Sequence, residues 1–62
     1  MIKIEQNQNF TKFFNVFAFG KLVDQVSTHA KAIKVANELA SKHKQTHFML
    51  VDSNEFIPTS KS

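Results

Sequence analysis

The spacing of apolar positions along the chain changes from strand-like to helical and back, and turn residues divide it into elements. Ile2 to Gln6 alternates, Phe13 to Phe19 is aromatic and β-branched, and Leu22 to Val26 is a third short apolar run. Gly20, the single glycine, lies between the second and third runs, and Gly20-Lys21 is placed to turn the chain. From Thr28 to His43 the period becomes helical. At 100° per residue, His29, Ala32, Ile33, Ala36, Leu39, Ala40 and His43 gather on one side, and Lys31, Lys34, Glu38 and Ser41 on the other. Ser27 or Thr28 can cap the first amides, and Lys42 and Lys44 suit the negative end of the helix dipole. Two more short strands are predicted, His47–Val51 and Glu55–Ile57. The polar turn Asp52-Ser53-Asn54 joins them, and Pro58 stops the second.

The expected fold is α+β: an antiparallel sheet of four or five short strands, order β-β-β-α-β-β, with one amphipathic helix (about 28–43) on one face. Residues 1–57 form one domain, and 58–62 read as a disordered tail. The helix stripe is mostly alanine, which lets a helix approach a sheet closely.

Side chains alternate across a strand. Phe14, Val16 and Ala18 share one face, and Phe13, Asn15, Phe17 and Phe19 the other. The strand after the helix divides likewise, Phe48 and Leu50 against Met49 and Val51. Ala18 suits the alanine stripe, so the helix is expected over the first set. Phe13, Phe17, Phe19, Met49 and Val51 are then left uncovered. If contiguous, they form an apolar patch of the kind that marks an interaction site, and the uncharged run Phe13–Phe19 is an aggregation hazard if bare.

Composition narrows what could cover it. A chain of 62 residues makes a small core, and chains of this size usually need a staple or a partner. There is no cysteine, which removes disulfides and thiolate metal sites. Self-association, as a homodimer through the helix-free face, is the expected solution. A second possibility folds the N-terminal segment or the tail over that face. A third is a module for single-stranded nucleic acid, with Phe17 and Phe19 stacking bases and nearby lysines steering the backbone. The net charge is +3 and all eight basic residues are lysine, so arginine's forked phosphate contacts are absent.

Val26-Ser27-Thr28-His29-Ala30-Lys31-Ala32-Ile33-Lys34-Val35-Ala36-Asn37-Glu38-Leu39-Ala40 resembles the central segment of DUF2188, a bacterial family without an assigned function. Phe14-Asn15-Val16 is similar to that family's W-x-V strand, and Phe48-Met49-Leu50 to its L-V-V strand. The resemblance spans roughly Phe14 to Ile57. It implies a helix-on-sheet fold with Phe14, Val16, Phe48 and Leu50 on the core side, and no activity. The family's glycine-rich hairpins are missing, and Phe17, Ala18 and Phe19 replace its charged residues.

Catalytic and ligand signatures are sparse. His43-x-x-x-His47 has metal spacing only if the helix runs through both, and no further ligands stand nearby in sequence. Ser27 and Ser41 lack a triad pattern, while Asp24, Glu38, Asp52 and Glu55 are scattered. One glycine cannot build a phosphate-cradling loop. A non-enzymatic protein without a cofactor or metal is expected. Met1–Asn7 lacks the apolar core of a signal peptide, so Asn9-Phe10-Thr11, a glycosylation pattern, is expected to be idle. No stretch is long enough to span a membrane. A cytoplasmic location is the expectation.

Overall fold

The computed structural model describes residues 1–60, in the order β1 (Ile2–Gln6), β2 (Phe14–Ala18), β3 (Lys21–Val26), α1 (His29–Lys42), β4 (His47–Leu50) and β5 (Glu55–Pro58). The strands form a five-stranded sheet in the order β3-β2-β1-β4-β5 with the helix packed on one face. The α+β architecture is the one the hydrophobic periods predict. One pairing departs from a wholly antiparallel sheet, because β1 and β4 run parallel, with Lys3 beside Met49 and Ile4 beside Leu50. The cause is topological. The helix crosses the sheet between β3 and β4 and returns the chain to the end from which β3 began. Since β2 is antiparallel to both β3 and β1, β4 arrives parallel to β1.

The core lies between the helix and the face it covers. Ile2, Ile4, Val16, Ala18 and Phe48 meet Ala32, Ala36 and Ala40, and the three alanines are wholly inaccessible. Phe14, Val26, Leu50 and Ile57 extend the sheet side, and Ile33, Val35 and Leu39 flank the stripe. Alanine every fourth residue lets the helix backbone sit near the sheet while the larger flanking residues close its sides.

Both helix ends are closed by local bonds. Thr28 is the cap, its Oγ1 accepting from the Lys31 amide at 3.1 Å. At the other end Lys44 takes the left-handed conformation, φ 56°. The Gln45 amide then donates to Ala40 O (2.7 Å) and the Lys44 amide to Ser41 O (3.2 Å). This is the paired-bond ending that glycine usually occupies; here a lysine bears the steric cost.

The tail expectation is corrected for residues 58–60. Pro58 is the last residue of β5, opposite His47, where an edge strand tolerates its missing N–H. Thr59 donates its amide to Thr46 O (2.9 Å). Ser60 exchanges two bonds with the Asn37 side chain on the helix, at 2.7 and 3.2 Å. Lys61 and Ser62 lie outside the described residues.

Two substitutions probe this frame by urea denaturation. Ala36→Leu forces extra volume between helix and sheet and is expected to cost about 1–3 kcal/mol. Lys44→Gly relieves the left-handed residue and is expected to stabilise the protein by about 0.5–1 kcal/mol.

Candidate interaction face

The strand registers place one residue from each of the five strands in a row across the sheet, on the side away from the helix. Leu22 pairs with Phe17, Phe17 with Lys3, Lys3 with Met49, and Met49 with Phe56. Each of the three inner residues neighbours buried residues that point to the helix: Val16 and Ala18 around Phe17, Ile2 and Ile4 around Lys3, Phe48 beside Met49. With strands about 4.8 Å apart, the row is roughly 19 Å long. Its two outer members, Leu22 and Phe56, are more than half exposed, while Phe17 and Met49 are half-buried. His47, two residues from Met49, sets its ring edge-on to Phe56 with centroids 5.0 Å apart.

A second, polar row runs alongside the first. Glu5 pairs with Asn15 and Asn15 with Gln25, whose Nε2 donates to Asn15 Oδ1 at 3.1 Å. A cleft of about 190 Å³ on this face is lined by Met1, Lys3, Glu5, Phe17 and Gly20. The face thus carries an apolar band, a polar band, and one opposite-charge pair of residues on its central strand.

The residues expected to form a single patch are only partly brought together. Phe17 and Met49 share the row, but β1 comes between their strands and puts Lys3 there. Val51 follows β4, half-buried, its amide donating to Ile4 O (2.9 Å). Phe13 stands in the β1–β2 loop, packed edge-on against Phe10 at 6.3 Å. That loop is ordered by Asn7, whose Oδ1 accepts from the Asn9 and Phe10 amides at 2.9 Å each.

Phe19 leaves the face altogether. The hairpin turns on Phe19-Gly20 rather than Gly20-Lys21, with φ of 53° and 83°, a two-residue turn between Ala18 and Lys21. The left-handed conformation ends the strand alternation at Ala18. The Phe19 ring instead meets His43 at the helix C-terminus, centroids 5.2 Å apart and nearly perpendicular. Phe17 and Phe19 are therefore not a stacking pair.

Sequence reasoning missed Lys3, Glu5, Leu22, His47 and Phe56 as members of this face. Alternation alone marks Leu22 and Phe56 within their strands, but pairing register is needed to bring them into one row. Neither proposed lid covers the face. The N-terminal segment is the sheet's central strand, and the chain through Ser60 is bound to the helix on the opposite side.

Elsewhere the chemistry is dispersed. A cleft of about 340 Å³ between β3 and α1 is lined by Val23, Asp24, Val35, Glu38, Leu39 and Lys42. His43 and His47 are drawn to different aromatic partners, Phe19 and Phe56. Among the described residues, no group of three or more His, Cys, Asp or Glu is placed to hold a metal ion, and no helix is long and apolar enough to cross a membrane. Comparison with family models, with curated proteins and with solved structures finds no match to this chain.

Proposed function

We propose that this protein is a small non-enzymatic interaction module that pairs with a second copy of itself through the helix-free face of its sheet. The row Leu22–Phe17–Lys3–Met49–Phe56 carries the proposal, since it sets four large apolar side chains across a face that no described segment covers. Sheet edges are the other route to self-association, and both are blunted. β3 has a register break opposite Val16/Phe17, and β5 is four residues long, begins with Glu55 and ends with Pro58. Bulges, charges, proline and short length all discourage edge pairing. The resemblance to DUF2188 belongs to the same proposal, as a shared fold without an implied activity.

Area sets the strength. Five strands by about five residues give a face of roughly 24 by 17 Å. Two such faces bury on the order of 800–1,000 Å², the low end for specific association. The pairing is expected to be reversible and micromolar.

A second reading, a platform for single-stranded nucleic acid, is supported by Phe17 and Phe56 on a bare sheet with Lys3 between their strands. Glu5 stands against it, because its carboxylate shares the cleft with Lys3 and repels phosphate.

Sedimentation from low to high micromolar concentration tests the dimer. The wild type and Phe19→Lys are expected to associate alike, and Phe17→Lys to remain monomeric. A wild type that is monomeric throughout overturns the proposal. Short single-stranded oligonucleotides at low and moderate salt are expected to show no saturable binding. Tight low-salt binding lost in Phe17→Ala would favour the second reading, since electrostatic attraction is strongest at low salt.

A further inference from the structure

Among the described residues, the helix approaches β1, β2, β3 and β4 and leaves β5 outside its reach. Of the β5 side chains only Ile57 packs against the core, while Glu55, Phe56 and Pro58 are exposed. The strand is therefore held chiefly by its ladder to β4 and by what lies just beyond it. There the Thr59 amide donates to Thr46 O at 2.9 Å. Ser60 exchanges two bonds with the half-buried Asn37 side chain. Its amide donates to Asn37 Oδ1 (2.7 Å), and its carbonyl accepts from Asn37 Nδ2 (3.2 Å).

This crossing is loosely filled. A cleft of about 420 Å³ is lined by Ser41, Lys44, Gln45, Thr46 and Thr59, and the buried Thr59 Oγ1 has no hydrogen-bond partner among the described residues. A buried hydroxyl without a partner is costly, and it regains bonds to water when the segment lifts. The other end of the segment is fixed. The Val51 amide donates to Ile4 O (2.9 Å), and Asp52 Oδ2 accepts from the Gln6 amide (2.7 Å). Asn54, in the same turn, has a left-handed φ of 55°.

From this asymmetry we propose that Glu55–Ser60 is a strap that opens as a unit about the Val51–Asn54 turn, with Asn37 as its latch. Opening bares the outer backbone edge of β4 and the side of Phe48 that faces Ile57, while the helix keeps its contact with β1 and β2. The closed occupant of that edge is the chain's own C-terminal segment. Few buried side chains and one fixed hinge are the marks of a unit that opens without global unfolding.

Hydrogen exchange read by mass spectrometry tests the strap, at a protein concentration below that of any self-association. In the wild type, residues 55–60 are expected to exchange ahead of β1 and β2. Asn37→Ala removes both latch bonds without weakening the helix, since alanine is the better helix former. It is expected to accelerate exchange over residues 55–60 about tenfold and to leave β1, β2 and α1 no faster than before. Residues 55–60 exchanging in step with β1 and β2 in the wild type, or no faster in Asn37→Ala, overturns the proposal. An acceleration shared equally by every segment overturns it as well.

Discussion

Close contact between an alanine stripe and one face of a sheet is the constraint from which the rest of this molecule follows. Ala32, Ala36 and Ala40 lose all solvent contact because nothing larger than a methyl group separates that side of the helix from Ile2, Ile4, Val16 and Phe48. One helix of fourteen residues covers one face of a five-stranded sheet and no more. Once Ala18 and Val16 are committed to the helix, the pleat commits Phe17 to the other side. The bare face is the geometric remainder of the core.

The position of β1 gives that remainder its character. As the central strand, paired antiparallel with β2 and parallel with β4, it carries the two charges into the middle of an otherwise apolar and amide-bearing face. Polar and apolar rows lie side by side, which distinguishes this surface from a core half left exposed. The edges at β3 and β5 are blunted by a register break, short length, a charge and a proline, so the proposed association uses the face and not the rim.

Much of this was legible in the chain. Alternation placed Phe14, Val16, Phe48 and Leu50 toward the helix, and the 100° step identified the alanine stripe. Strand order was not legible, because alternation reports which way a side chain points and says nothing about which strand lies beside it. The parallel β1–β4 pair, and Lys3 between the strands of Phe17 and Met49, depend on long-range pairing of that kind. Phe19 was misplaced for a different reason. Two-residue hairpin turns are usually signalled by asparagine or aspartate before glycine, and a phenylalanine in that position reads as strand. Its left-handed backbone is held in company with a ring contact to His43, which only the folded chain supplies. The tail was misread because proline usually stops a strand, whereas here Asn37 receives the chain beyond it.

The interior place of β2 has a consequence for how this protein fails. The uncharged, aromatic segment around Phe14–Ala18 is an aggregation hazard when bare, yet both of its backbone edges are occupied, by β1 and by β3. Its hazard is therefore gated by loss of the β3 edge. That strand begins at a turn that a phenylalanine strains and that the helix terminus braces. Peeling β3 away from β2 would release the template for intermolecular pairing while β2 and the helix still close the core. Aggregation would then track local opening of one hairpin and begin below the midpoint of global unfolding.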